Sequence, residues 1–278
     1  MNAVTTGHVD VPGGRLPIVD EGAGPPILLM HAWIADLRAW DAIVPFLTAA
    51  GHRVVRFDMR GFGEATTDEV PFSHRADAIA VLDALGIGRT ALVGNSGGGR
   101  VAFDTAIEFP DRVVAVVGVG AGLGGFSGQA TAEEQLLEAE GERLENADPY
   151  DPVALTDFEV RAWVDGAGQP PDRVASAIRE AVREMDLPLN QPDRVRGQSI
   201  ALQPAANERL TDLRCPVLAV AGGLDLAEVT QVAQRLAAGA PNARSLVWPD
   251  VAHMIGMEVP ERLAETIVEF LAPLDRWA

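Results

Sequence analysis

The sequence predicts an α/β protein: a mostly parallel, doubly wound sheet with an inserted block of helices. Three observations carry this. Short apolar, β-branched runs alternate with helix-period segments through the first 121 residues. Those runs are apolar throughout rather than alternating, as strands covered on both faces are. From Gly122 to about Leu210 the strand-like runs vanish and charged amphipathic helices replace them, after which the strand–helix rhythm resumes. Residues 1–121 and 211–278 are therefore read as one core domain, and 122–210 as a helical cap inserted into it.

Taken in order, "GHVDVPGGRLPIVDEG" turns at Gly13-Gly14 and reads as a hairpin. Residues 25–32, "PPILLMHA", form a buried strand. Residues 36–50 carry apolar positions at helical spacing and stop at Gly51. A strand over 52–59 leads into the loop "RGFGEATTDE", and a helix over 73–86 ends on glycine. "RTALVGNS" is a strand, "GGGRVAFDTAIEFP" a helix ended by Pro110, and "DRVVAVVGVGAG" another strand. The insertion reads as three helices with Asp, Thr or Pro near their starts, plus a weaker fourth over 193–206. The rest runs strand (215–225), helix (226–239), strand (243–250), helix (260–274). An insertion between two strands sits over one edge of the sheet. Ligands bind at the carboxyl ends of parallel strands, so a helical insertion there can act as a lid.

Composition narrows the function. There are 22 basic and 40 acidic residues, a formal charge of −18, and no lysine. Such a surface repels phosphate backbones and anionic headgroups, so nucleic acid and membrane are not expected partners. Without lysine there is no Schiff-base chemistry and no pyridoxal phosphate anchor. Cys215 is the only cysteine, which excludes an internal disulfide and a cysteine-based metal cluster; it is expected as a small buried residue. The N-terminus has neither the basic nor the apolar region of a secretory signal, and no apolar run approaches the ~20 residues of a membrane span. The expectation is a cytoplasmic protein acting on a small-molecule substrate, with no cofactor and no metal; the sequence does not specify its oligomeric state.

Chemistry concentrates at Gly94-Asn95-Ser96-Gly97-Gly98. A serine on a sharp strand-to-helix turn needs residues without side chains two before and two after it, because those positions pack too closely for a Cβ. A strand precedes this turn and a helix follows it. Serine needs a histidine base, and the base a carboxylate to orient it. Of five histidines, His8, His52 and His74 are expected at the surface. His253 lies after the last strand, at a carboxyl edge, and is the expected base. Asp225 ends the strand before it and is preferred over Asp250, which is too close in sequence and is expected to shape the loop. Backbone N–H groups of Gly97 and Trp33 are the expected oxyanion donors. His31, after the first buried strand, is expected to brace the Trp33 loop.

These segments together resemble the α/β-hydrolase superfamily, in its helical-cap branch. "LLMHAWIADLRAWDAIVPFL" is similar to its oxyanion-loop segment, "FDMRGFGEA" to D-x-R-G-x-G-x-S, "LVGNSGGGRVA" to the nucleophile segment, and "CPVLAVAGGLD" and "VAHMIGMEVPERLAETIVEFL" to the acid and histidine segments. Three positions depart from the pattern. Ala32 replaces a glycine, Glu64 stands where serine is common, and Gly98 and Gly99 leave the helix start bare, as if to widen a pocket floor. A serine nucleophile and the single tyrosine Tyr150 argue against haloalkane dehalogenases and epoxide hydrolases. The resemblance implies a serine esterase or lactonase working through an acyl-enzyme. The alternative is carbon–carbon hydrolysis of meta-cleavage-type diketones, which Gly-Asn-Ser around Asn95 favours and Met254, where that family commonly has tryptophan, opposes. That family's cap arginine cannot be chosen among Arg161, Arg173, Arg179 and Arg183. Perhydrolysis as a side activity and a ligand-binding relative that has lost catalysis stay open. Candidate pocket residues are His31, Asn95, Phe126, Tyr150, Phe158, Trp163 and Met254.

Overall fold

The computed structural model describes residues 4–274. In chain order it runs β1 (Thr5–Val11), β2 (Gly14–Gly22), β3 (Pro26–Met30), α1 (Val44–Ala49), β4 (Arg53–Phe57), β5 (Thr66–Thr67), β6 (Pro71–Phe72), α2 (His74–Ala84), β7 (Thr90–Asn95), α3 (Gly97–Glu108) and β8 (Val113–Val119). Then come α4 (Ala132–Glu145), α5 (Pro152–Glu159), α6 (Ser176–Asp186), β9 (Gln198–Ser199), β10 (Val217–Gly222), α7 (Ala227–Gly239), β11 (Ala243–Trp248), α8 (Ile255–Glu258) and α9 (Pro260–Leu271).

The main sheet has the order β1-β2-β4-β3-β7-β8-β10-β11, with β5 pairing β2. Pairing is antiparallel at β1, β2 and β5 and parallel from β4 onward. The hairpin pairs Val11 with Gly14 across Pro12-Gly13, and Gly13 takes φ +72°, which glycine alone adopts freely. β3, β7, β8 and β10 are buried along their whole length. Strand alternation splits each between two cores. Ile27 and Leu29 of β3, with Leu218 and Val220 of β10, face Trp40, Val44, Leu47, Leu263 and Ile267 on the α1/α9 side. Leu28 and Met30, with Ala219 and Ala221, face Leu82, Phe103, Val232 and Leu236 on the α2/α3/α7 side. Helices on both faces leave only the strand ends open, and the connections bring the loops after β3, β7, β10 and β11 to one edge.

The structure corrects three expectations. The helix over 36–50 is broken into a 3₁₀ turn, Leu37–Trp40, and α1. Pro45 has no N–H to bond back and its ring crowds the carbonyl four residues before it, so it fits only a first helical turn. No helix forms over 193–206. Gly197 turns the chain at φ +64°, and Gln198–Ser199 pairs in parallel with Pro71–Phe72. Finally, Leu202, Ala206 and Leu210, read as part of the insertion, pack into the α2/α3/α7 core, as does Leu123. The helices that leave the sheet are α4, α5 and α6. They rest on the strand-end loops through Val160, Val164, Val174, Val182 and Met185, which cluster with Ala32, Ile34, Ala35 and Met254.

Candidate active site

Ser96 sits between β7 and α3 at φ +54°, ψ −119°, the one non-glycine residue at positive φ among those described. A β-carbon added to Gly94 would lie 2.3 Å from the Gly98 carbonyl oxygen, and one on Gly98 2.3 Å from that of Met30. Both positions are closed by backbone, which is the steric reason for glycine two before and two after the serine. Gly98 and Gly99 therefore do not widen a pocket floor: the space beside Gly99 holds the Ala121 methyl, 2.4 Å from where a Cβ would stand. The turn is pinned by the Ser96 N–H donating to Val119 O at 3.0 Å and by the N–H groups of Arg100 and Gly122 donating to Ser96 O.

His253 and Asp225 meet although they come from different loops. Nδ1 of His253 donates to Oδ2 of Asp225 at 2.7 Å, both residues being buried. A carboxylate can only accept here, so Nδ1 carries a proton, and in the tautomer this selects Nε2 is left as the acceptor nitrogen. The other carboxylate oxygen takes the Leu226 N–H at 2.8 Å, which fixes Asp225. Asp250 is exposed and pairs with Arg262, away from His253.

Asn95 joins this group to the serine turn. Its amide donates to Val119 O at 2.8 Å and to His253 O at 3.2 Å. It thus holds the histidine's backbone against the residue next to Ser96, rather than lining a pocket. His31 is likewise no pocket residue. It is fully buried, its Nε2 accepts the Met59 N–H at 3.0 Å, and its Nδ1–H therefore donates to Ala32 O at 2.8 Å. Burial holds its pKa below the ordinary histidine value, so it stays neutral and braces the loop after β3. The Ala32 methyl is accommodated in the apolar cluster with Ile34, Ala35 and Met254.

Trp33 follows. No hydrogen bond of the Trp33 or Gly97 N–H to another protein group is found among the described residues. The Trp33 indole, which sequence reasoning did not consider, lies over Gly97: a Cβ there would fall 2.2 Å from the ring.

Of the other pocket candidates, Trp163 reaches the site. Its ring centroid is 4.5 Å from that of His253, tilted by 46°. It is carried on a π-helical turn, Val160–Asp165, that extends α5; such turns re-aim side chains within helices and recur at functional sites. Met254 is fully buried in the cluster between this turn and the Trp33 loop. Phe158 and Tyr150 instead pack a small core within the helical block, where the Tyr150 hydroxyl donates to Asn190 O at 2.8 Å. Phe126 packs on the α2/α3/α7 core. Both sets are corrections: Phe158 and Tyr150 find apolar neighbours within the helical block, and Phe126, in the loop after β8, finds them on the core. His52 and His74, expected at the surface, are buried too.

A tie missed by sequence reasoning joins the helical block to the histidine loop. Arg173 donates to both carboxylate oxygens of Glu258 (2.6 and 3.1 Å) and to the carbonyls of Val164 and Asp165. Glu258 in turn accepts the Ala252 N–H at 2.9 Å, next to His253. Arg161, Arg179 and Arg183 pair with Glu140, Asp165 and Asp157. All four arginines considered as substrate anchors thus pair with carboxylates of the protein, Arg173 in a buried pair and Arg161 and Arg183 at the surface. Among the described residues no group of three His, Cys, Asp or Glu side chains converges as metal ligands, and no helix is long and apolar enough to cross a membrane.

Comparison with known proteins agrees with this architecture. The sequence profile of the alpha/beta hydrolase fold matches residues 25–260. A curated relative, a 2-hydroxy-6-oxononadienedioate/2-hydroxy-6-oxononatrienedioate hydrolase of Paraburkholderia phymatum, is 28% identical over 97% of this chain and 96% of its own. An N-acyl homoserine lactone degrading enzyme of known structure is 26% identical, with a TM-score of 0.72 over 95% of this chain and 100% of its own. The bromoperoxidase of Bacillus anthracis shares the fold, at 20% identity and a TM-score of 0.76 over 97% of this chain and 100% of its own.

Proposed function

The chain belongs to the α/β-hydrolase fold family, and on that premise we propose that it is a serine hydrolase cleaving the carbon–carbon bond beside a ketone in a small keto-acid. The observation that carries the hydrolytic reading is the Asp225–His253 hydrogen bond held by Asn95 against the strained Ser96 turn. The choice of bond leans on the relative similar over nearly its whole length. That relative's name contains a hydroxyl, a ketone, double bonds and carboxylates, but no ester, amide or ether. Hydrolysis of such a molecule breaks a carbon–carbon bond.

In this reading Ser96 Oγ attacks the ketone carbon as His253 Nε2 takes its proton. The oxyanion accepts hydrogen bonds from the N–H groups of Trp33 and Gly97. Each such donor is worth ~100- to 1000-fold in turnover. Once the 2-hydroxydiene has tautomerised to its 2-keto form, which leaves the carbon beside the attacked ketone tetrahedral and next to the enone, collapse breaks the carbon–carbon bond, the electron pair passes into that enone as a dienolate, and His253 returns the proton there. Water, deprotonated by His253, then releases the acyl group from Ser96 as a carboxylic acid. The helices α4–α6 serve as the cap, with Trp163 against His253 and the Arg173–Glu258 tie as its seam.

Ester or lactone hydrolysis is the second reading. It is favoured by the lactone-degrading relative and by the pairing of the four candidate anchors, Arg161, Arg173, Arg179 and Arg183, with carboxylates of the protein. Both readings expect Ser96→Ala to lower kcat by roughly 10⁴-fold or more; undiminished turnover of a p-nitrophenyl ester would sink them together. They part on kcat/KM for a 2-hydroxy-6-ketodienoate against an ester of similar size, followed by loss of the dienoate absorbance. A preference for the ester assigns the second reading.

A further inference from the structure

One cavity, separated from the serine turn by Trp33, is lined by polar groups that the mechanism does not use. It measures about 220 Å³ and lies between Trp33, the start of α2 (His74, Arg75) and the outer face of α3 (Arg100, Asp104). Two of its side chains are more than nine-tenths buried yet leave an enclosed polar atom without a partner among the described residues: Nδ1 of His74 and Oδ1 of Asp104. Unpartnered buried polar atoms are rare and costly. Both side chains line this cavity, so it is bordered by residues with unmet hydrogen-bonding capacity. Arg100 is the third member. Its guanidinium makes no ion pair among the described residues and stands over the Trp33 ring, 5.8 Å from the centroid. Arg75, by contrast, is spent on Glu108 and the Ile200 carbonyl. Arg100 and Asp104 converge: the β-carbon position of Gly124 is 3.4 Å from Arg100 Nε and 3.6 Å from Asp104 Oδ1.

The place of the cavity links it to the reaction. Trp33 is its wall toward the nucleophile, since the same indole covers Gly97. Arg100 stands one helical turn, about 5.4 Å of axial rise, beyond Ser96 and donates its N–H to the serine carbonyl. We propose that this cavity binds a carboxyl group at the far end of the substrate, with Arg100 gripping the carboxylate and Asp104 and His74 closing on its remaining oxygen. The assignment rests on the serine-hydrolase reading, and it supplies the anion site that the paired cap arginines cannot.

Charge and donor counts favour a carboxyl group. The guanidinium has a surplus of planar, forked donors, which match a carboxylate at two points. His74 is neutral, because burial and then the neighbouring cations push it down to about 3, and it can offer one N–H. Burial raises Asp104 to about 6, against the lowering effect of Arg100 and Arg75 and with Glu108 raising it further. A second carboxylate arriving beside it makes the two share one proton, as close carboxyl pairs do. Arg100 then faces a single negative charge. Binding therefore takes up a proton and weakens as pH rises above about 6.

The test compares two p-nitrophenyl esters that differ only at the far end of the acyl chain, carboxylate against methyl ester, across a series of chain lengths. The readout is the ratio of their kcat/KM values, which cancels any general loss of activity or folded fraction. Wild type is expected to favour the carboxylate at one chain length, and Arg100→Gln to lower that ratio roughly 10- to 100-fold, the worth of a charged hydrogen-bonded contact. Arg100→Lys should restore part of it, and Asp104→Asn should remove the fall of the ratio above about pH 6. A wild-type preference for the methyl ester at every length, or an unchanged ratio in Arg100→Gln, overturns the proposal. Hydrolysis of both esters that survives Ser96→Ala overturns the serine reading instead, so the two failures are distinct.

Discussion

Ser96 holds a backbone conformation that costs about 1–3 kcal/mol for a residue with a β-carbon, and its neighbours are arranged to bear it. The N–H of Ser96 is tied to Val119 and its carbonyl to Arg100 and Gly122. Asn95 extends the same clamp to His253. Replacing Asn95 by alanine leaves the Val119 and His253 carbonyls short of a donor, at a cost of about 1–3 kcal/mol. The expected outcome is a lower melting temperature and a fall in kcat larger than any change in KM, because the base loses its position while the pocket keeps its walls. A change confined to KM would instead make Asn95 a substrate contact. The positions of Ser96 and Asp225 could be read in the sequence because each follows a strand buried along its whole length, whereas His253 follows β11, of which only Trp248 is buried. The roles of Asn95 and Trp33 could not be read there. Each is set by a partner far along the chain (His253 for Asn95, Gly97 and Arg100 for Trp33), and nothing in the local pattern names that partner.

At the scale of elements, the strands were legible because "ILLM", "ALV", "VVAVV" and "VLAVA" are apolar without a break. Where periodicity misled, the punctuation was visible but outweighed: Pro45 inside an amphipathic run, Gly197 inside a weak one. The π turn after α5 was illegible, since one extra residue per turn changes no composition. Its seam with the histidine loop is testable. Arg173→Gln leaves the Glu258 carboxylate, only 6% exposed, without its cation, which costs about 3–5 kcal/mol for a buried pair. Thermal unfolding should register that loss, and pairing it with Glu258→Gln should recover part of it. Equal stability of Arg173→Gln and wild type would show that the tie carries no load.

The helical block also holds a titrating acid. Burial first, then the adjacent Glu159 carboxylate, pushes Asp186 up to about 9, and the Asn190 amide donates to both acids. An acid whose folded pKa exceeds its unfolded value of ~3.9 lends stability that is complete below about pH 4 and is lost as pH climbs through about 9. Melting temperature should therefore decline across that range. Asp186→Asn, which keeps the shape without the proton, should flatten the decline. An unchanged slope in the variant would place the pH dependence elsewhere.

At the scale of the molecule, a sheet buried on both faces leaves its strand ends as the place for chemistry, and the helical block closes over them. The formal charge of the chain is −18, yet in the cavity behind Trp33 a cation, Arg100, stands without an ion pair among the described residues. Cys215 is no competing nucleophile, because burial pushes its thiol up to about 11. The central claim is that one serine forms the covalent intermediate. Trypsin cuts after Arg89 and Arg100, so Ser96 leaves in the peptide Thr90–Arg100, in which it is the only serine. The direct measurement is mass spectrometry of this peptide after treatment with a fluorophosphonate, alongside residual hydrolysis. One phosphonyl adduct on Ser96, rising in step with the loss of activity and absent from Ser96→Ala, is the predicted result. Inactivation with the adduct on another residue, or full modification of Ser96 with activity retained, would contradict it.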